Sequence, residues 1–181
     1  MYKGADMRKI MDAFGNLIDP FNLTPNDFNV EVVAQALSRI CRFRGQTTEF
    51  YSVAQHCIAM SRIFDDLDLK KWGLAHEFFE GLTGMDIPSP IKHGEQFKEY
   101  RDAEERCLNQ VADIFNLSKP LPEAIQVADK RMMVTEALRF MSSENYDWTQ
   151  IAKPYHIGVI CEPMSFKEAQ KAFLDEWYKY F

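Results

Sequence analysis

The sequence predicts an all-α helical bundle, and three observations carry that expectation. Apolar residues recur at three- and four-residue spacing through most of the chain, which is the period of one helix face and not the alternation of a half-buried strand. Helix-start signatures precede several of these stripes: Ser52 with Gln55 and Ser165 with Glu168 each set a hydroxyl at an N-cap and a reciprocal partner three residues on. Finally, 181 residues with 46% apolar and 27% charged side chains can bury a substantial core under a wetted surface. That mixture excludes a disordered chain, a collagen-like repeat and a disulfide-stapled miniprotein.

The first local signal is Thr24-Pro25 with Asp27, a cap, a first-turn proline and a capping acid that open a short turn before a second cap at Asn29. From Val32 a helix follows through Val32, Val33, Ala36, Leu37 and Ile40. The stretch RFRGQTT at 42–48 breaks the period, with Gly45 relaxing the backbone. Behind the Ser52 cap, Val53, His56, Cys57, Met60, Ile63 and Phe64 make the next stripe. Asp65 to Asp68 form an acidic turn, and one helix over about 69–80 carries Leu69, Trp72, Ala75, His76 and Phe79 on one side, with Gly81 and Gly84 loosening its end. Residues 86–90 (DIPSP) are expected as a restricted, extended loop, since each proline disfavours helix in the residue before it.

A long helix over about 95–115 uses Phe97, Tyr100, Cys107, Leu108, Val111 and Ile114. Pro120 and Pro122 punctuate it, and another helix runs to about 140, burying Ile125, Ala128, Met132 and Met133. Residues 141–163 are weakly patterned and read as loop with one helical turn. The last amphipathic helix uses Phe166, Ala169, Phe173, Leu174 and Trp177. With no internal repeat, low-complexity tract or dividing linker, one domain over 1–181 is expected.

Charge and targeting narrow the function classes. Twenty-seven acids against 21 bases give a net charge of -6, which leaves no surplus for the broad basic face of a nucleic-acid-polymer binder. Small anionic ligands remain open, because a few arginines or a metal can overcome a modest global charge. No apolar run approaches the ~20 residues that span a bilayer, so no membrane partner is expected. The first 15 residues are mixed in charge without an apolar core, unlike a secretory signal. Cys41, Cys57, Cys107 and Cys161 are widely spread and form no CxxC pair, which suits reduced, mostly buried thiols in a cytoplasmic protein.

Some polar residues are left unexplained by the apolar pattern. His56 interrupts its stripe, His76 and Glu77 sit on an aromatic-rich helix with Glu80 four residues after His76, and Asp129 follows Val127 and Ala128. Such groups beside apolar surface are costly unless paired or coordinated. Two imidazoles and two carboxylates from three helices make a sensible divalent-metal site. Spacing alone leaves blander readings open: a hydrogen-bonded core His56, a surface pair at His76-Glu77, and a solvated cluster of Asp129 with Lys130 and Arg131. The HExxH pattern of zincins is excluded, because Glu80 stands where its second histidine is needed.

The order His56, His76-Glu77, Asp129 resembles the HD-domain phosphohydrolase superfamily, whose pattern is a histidine, a His-Asp dipeptide and a distant aspartate. FYSVAQH at 50–56 and LAHEFFEGLTGMDIPSPIK at 74–92 are similar to the small bacterial and phage branch that includes deoxynucleoside 5'-monophosphatases and phage dATP triphosphohydrolases. ALSRICRFRG at 36–45 resembles the phage-type members, and VADKRMMVTEA at 127–137 resembles their last motif. The resemblance covers about residues 27–140. It departs from the family twice: Glu77 replaces the aspartate of the dipeptide, and five residues separate Glu80 from Asp86 where four are usual, Met85 being the extra one.

The resemblance implies an HD-domain helical bundle with a divalent ion (Co, Mn, Zn or Mg) held by His56, His76, Glu77 and Asp129. Such an ion lowers the pKa of water and binds a phosphate oxygen. Glu80 would orient or deprotonate the water or protonate the leaving oxygen, with second-sphere support of a ligand histidine as the other reading, and Asp86 would reach the same site. Arg42 would grip phosphate and Phe43 stack on the base, with Arg44 and Lys92 as further phosphate contacts and Gln46 on a base edge. The implied reaction is hydrolysis of a free deoxynucleotide, foremost dATP to deoxynucleoside and triphosphate, as in phages that replace adenine by 2-aminoadenine. Alternatives are a 5'-deoxynucleotidase releasing orthophosphate and a nucleotide-binding protein whose catalysis the Asp-to-Glu change has weakened. A homo-oligomer, dimer or hexamer, is implied as well. The aromatic FLDEWYKYF at 173–181 fits either an interface or docking on the chain's own core.

Overall fold

In the computed structural model, which describes residues 8–181, nearly all regular structure is helical. The exception is a small hairpin that pairs β1 (Ile10–Met11) antiparallel with β2 (Leu17–Ile18). Helical periodicity gave no sign of it. The hairpin arises from local chemistry, because the Asp12 carboxylate accepts from the amides of Phe14 and Asn16, both at 2.8 Å, and so closes the turn. The expectation about the N-terminal segment rests in part on residues 1–7, which lie outside the described residues.

The capping signals act where the sequence places them. Asp27 accepts from the amide and hydroxyl of Thr24 to close the short turn Pro25–Asp27, and Asn29 caps α1 (Val30–Leu37), which therefore begins two residues before Val32. Ser52 and Gln55 cap each other's ends at the start of α2 (Val53–Arg62). Asp66 accepts from the Leu69 amide at 2.9 Å and starts α3 (Leu67–Ala75) within the acidic turn. The single helix expected over 69–80 is instead two, α3 and α4 (Phe78–Thr83), interrupted at His76-Glu77. At this break the Gly73 carbonyl, which a continuing helix would offer to the Glu77 amide, accepts from the His76 ring at 3.0 Å.

The proline-rich segment is extended only at 85–88. Ser89 and Pro90 already belong to the four-residue α5 (Ser89–Lys92), since a proline is tolerated in the first helical turn. A short turn at Glu95–Phe97 leads into α6 (Lys98–Phe115), and α7 (Glu123–Phe140) follows. On α7 it is Val134 that is buried, with Met133 half-buried, and on α6 Ile114 is exposed. Two short turns, Trp148–Gln150 and Ile157–Val159, cross the weakly patterned region, and α8 (Phe166–Tyr180) closes the bundle behind its Ser165-Glu168 cap.

Helix α2 runs through the middle of the bundle, with Val53 to Ser61 all buried. It lies against α3 at a very short range: a Cβ on Gly73 would sit 2.7 Å from the Ser61 backbone, so only glycine permits the approach. Helix α8 packs on α1, α2 and α3. Its aromatic end docks on the chain's own core, where Trp177 meets Phe115, Phe173 and Phe181. All four cysteines are free thiols. Among the described residues no helix is long and apolar enough to cross a membrane.

Candidate metal centre

Three elements bring the polar residues together. Helix α2 carries His56 one turn in from its cap, the break between α3 and α4 turns out His76 and Glu77, and α7 supplies Asp129. One donor atom from each of the four lies within 4.8 Å of the others.

Hydrogen bonding sets the direction of both imidazoles. The Nδ1 of His76 faces the Gly73 carbonyl at 3.0 Å, an atom that can only accept. The Nδ1 of His56 faces Glu136 Oε1 at 2.7 Å. Each Nδ1 therefore carries hydrogen, and the two Nε2 atoms stand 3.2 Å apart. Asp129 Oδ1 lies 3.2 Å from His56 Nε2, while Glu77 Oε1 lies 3.6 Å from His76 Nε2 and 3.9 Å from His56 Nε2. Two imidazole Nε2 atoms and two carboxylates thus converge on one point, an arrangement that calls for a positive charge, either a proton on His56 Nε2 or a metal ion. The nitrogen spacing also fits, since two nitrogens about 2.1 Å from one ion are about 3.0–3.4 Å apart at bond angles near 90–110°. A mixed set of two nitrogens and two oxygens suits divalent ions of the first transition row and leaves the choice among them open.

The charges agree with this reading. Burial and the Arg42 charge oppose protonation of His56, yet Glu136 and Asp129 raise its pKa to about 9, so that a proton supplies the cation. Burial, aided by the His56 charge, lowers the pKa of His76 and keeps it neutral. Burial would raise the pKa of Asp129, but its hydrogen bond to His56 and the His56 and Arg42 charges hold it well below the usual range. Glu77 is likewise held low against burial, by Glu80 and the neighbouring imidazoles. Both carboxylates are therefore ionised at neutral pH. Glu77 stands at the break itself, where it leaves helical geometry (φ -99°, ψ 19°).

Around this centre the other expected residues are buried, half-buried or exposed. Glu80 is buried, with Oε1 3.5 Å from Lys92 Nζ and Oε2 lacking a hydrogen-bond partner. Burial and the Glu77 charge push its pKa well up, against the opposing charge of Lys92. Arg42 is buried too, its Nε donating to Glu136 Oε2 at 3.0 Å and its NH1 4.0 Å from Glu77. Asp86 lies half-buried on the loop after α4, outside the four-ligand group, with burial raising its pKa against the Arg42 charge. Met85 is exposed at the surface and its carbonyl accepts from Tyr100. Lys92 is bound by Glu104 at 2.7 Å as well as facing Glu80. Phe43 is half-buried, whereas Arg44 and Gln46 are exposed on the same turn. Phe43 and Arg44 both adopt positive φ, 51° and 58°, a conformation that bulky residues rarely accept and that clusters near functional sites.

Two curated proteins are similar to this chain. One is the uncharacterized protein YfdR of Escherichia coli K12, 30% identical over 114 residues, which are 63% of this chain and 62% of that protein. The other is an uncharacterized protein of Rhodobacter capsulatus, 32% identical over 124 residues, 64% of this chain and 62% of that protein. The match thus spans about three-fifths of the length of each relative. No family model matches the chain.

Two residues near the centre escaped the sequence reading. Trp148 meets the Phe43 ring edge-on at 6.1 Å, and nothing in its weakly patterned segment announced it. Glu136 is fully buried between His56 and Arg42. A signal for Glu136 did exist: it stands seven residues after Asp129, two turns along one helix, and so shares its face.

Proposed function

We propose that this protein hydrolyses free deoxynucleotides with the help of a divalent ion, on an HD-type helical scaffold. The favoured substrate is dATP, and the products are deoxynucleoside and triphosphate. The observation that supports this most is the convergence of His56, His76, Glu77 and Asp129 within 4.8 Å, with buried Arg42 at its edge. The preference for a triphosphate and for adenine rests on the resemblance of residues 36–45 to phage-type dATP triphosphohydrolases.

When bound there, the ion would supply positive charge to a phosphoryl oxygen and lower the pKa of a water molecule. The chain's own residues account for the rest. Arg42 spends its Nε–H on Glu136, which leaves its terminal amino groups for a phosphate oxygen. Phe43, held beside it, offers a ring face to the base. Water adds to the α-phosphorus, the bond from phosphorus to the 5' oxygen breaks, and the triphosphate departs from the deoxynucleoside. The 5' oxygen must gain a proton, which the raised pKa of buried Glu80 suits it to give, and the proton that the water loses on adding restores the Glu80 carboxyl.

The test is an assay of the purified protein against each dNTP and dNMP, with and without Mn²⁺, Co²⁺ or Mg²⁺, resolving orthophosphate, pyrophosphate and triphosphate. Triphosphate from dATP is the expected product. Orthophosphate from a dNMP would instead favour the nucleotidase reading, and metal binding without turnover on any of them would refute the hydrolase. Glu80→Gln is expected to keep the metal and slow turnover by about 10²–10⁴-fold, the usual contribution of a positioned acid.

A further inference from the structure

The buried Glu136 is a polar group at this centre that the proposed reaction does not use directly. It is not one of the four ligands, nor is it open to substrate, being fully buried on α7. Both its oxygens are used: Oε1 accepts from His56 Nδ1 at 2.7 Å and Oε2 from Arg42 Nε at 3.0 Å. The partners are distant in sequence, and each matters for a different part of the site, His56 for the ion and Arg42 for the anion. We infer that Glu136 is a positioning residue that locks the His56 ring with its Nε2 lone pair toward the ion and fixes Arg42 in the same act, so that the metal site and the phosphate grip are built as one unit. The inference rests on the proposed function for the role of Arg42.

The argument turns on donors and acceptors. A carboxylate offers an acceptor to each of two N–H groups. A glutamine of the same shape offers one acceptor and one donor. If its oxygen faces Arg42, its amide N–H faces His56 Nδ1, which must then accept, and the ring proton moves to Nε2, the atom 3.2 Å from His76 Nε2 and from Asp129. That tautomer cannot ligate. If the oxygen faces His56 instead, the amide N–H opposes the Arg42 N–H, which cannot be given up because the guanidinium stays charged. The charged donor wins the acceptor, so the histidine is the group that suffers. Removing the guanidinium frees the glutamine oxygen to serve His56 again.

The probe is Co²⁺ alone, followed by its visible absorption and by calorimetry on the full chain, with thermal unfolding recorded for every variant. Glu136→Gln is expected to weaken Co²⁺ binding about 10–100-fold, the usual effect of losing an outer partner of a ligand histidine. The double variant Glu136→Gln with Arg42→Met is expected to recover most of that loss, a rescue that a merely structural role would not produce. Unchanged Co²⁺ affinity in Glu136→Gln, or no recovery in the double variant, would overturn the inference. Should the single variant not fold, the double variant is compared with Glu136→Leu, Arg42→Met, which removes the same charges but offers His56 no acceptor. Tight binding by the first and weak binding by the second supports the inference, and equal affinity overturns it. None of these titrations depends on which phosphate ester is hydrolysed, so their failure is separable from a negative nucleotide assay.

Discussion

Glu77 and Phe78 are neighbours in the chain but belong to two differently built regions. Phe78 is fully buried among rings, with Phe28 and Phe115 each at 5.7 Å and Trp177 at 5.9 Å. Glu77 faces His56, His76 and Arg42, all within 4.0 Å of its Oε1. The aromatic region is held by burial, which has no preferred direction and tolerates shape changes if volume is kept. The polar region is held by hydrogen bonds whose direction fixes which atom of each ring faces inward. The first therefore governs how stable the protein is, and the second governs what it can bind. Substitutions can show how far the two are independent.

The largest effect is expected from the aromatic side. Trp177→Ala removes a ring stacked on Phe181 at 3.9 Å and edge-on to Phe115 at 5.0 Å. A loss of about 3–5 kcal/mol is expected in denaturant unfolding. The folded fraction should still bind Co²⁺ as the unaltered protein does. A parallel loss of metal affinity would break the separation of the two regions.

Next in size is the effect of the ion itself. Adding Mn²⁺ or Co²⁺ at about 100 times its dissociation constant should stabilise the protein by about 2.7 kcal/mol, because the ligands converge only in the folded chain. In scanning calorimetry this is a rise of about 2–4 °C per kcal/mol for a chain of this size. His76→Ala should abolish the rise, since it removes one of the two facing Nε2 atoms. A variant that still responds to the ion would place the ion elsewhere.

Glu77→Asp sharpens the comparison at the boundary. The break in the helix sets the backbone for the longer acid, whose Oε1 already stands 3.6 Å from His76 Nε2. Shortening it by a methylene should draw the oxygen away and weaken Co²⁺ binding by roughly tenfold, about 1.4 kcal/mol, despite restoring the His-Asp pattern of the family it resembles. The unfolding midpoint without ion should scarcely move. Tighter binding by the aspartate would mean that the backbone adjusts freely here.

The same contrast explains what could be read from sequence. The all-α class and the caps at Asn29, Ser52 and Ser165 were legible because each depends on residues two to four apart. The break at His76-Glu77 was not, since it depends on a side chain taking the Gly73 carbonyl where Gly73 meets Ser61 across the α2–α3 contact. For the four candidate ligands, periodicity marked each as out of place and made a shared site sensible, and the order of the motifs favoured that over the blander readings. Glu136 stayed hidden because its partners lie 80 and 94 residues away. The hairpin at 10–18 depends on one aspartate closing a turn, a signal weaker than any apolar stripe.

The smallest effect tests whether local helix chemistry reaches the metal region at all. Ser165 accepts from the Glu168 amide, and its own amide and hydroxyl donate to the Glu168 carboxylate at 2.9 and 2.7 Å, at the end of α8 far along the chain from the ligands. Ser165→Ala should cost about 1 kcal/mol of stability and leave Co²⁺ affinity unchanged. The hydrogen bond from the Ser165 hydroxyl lowers the pKa of Glu168 below its ordinary value of 4.5. Because the folded value is the lower one, the cap's contribution is full above that ordinary value and fades as pH falls through the lowered one. The difference in midpoint between Ser165→Ala and the unaltered protein should therefore be constant from pH 8 down to about 5 and shrink below it. A difference that grew on acidification would mean that the neutral Glu168 carboxyl makes the stronger cap.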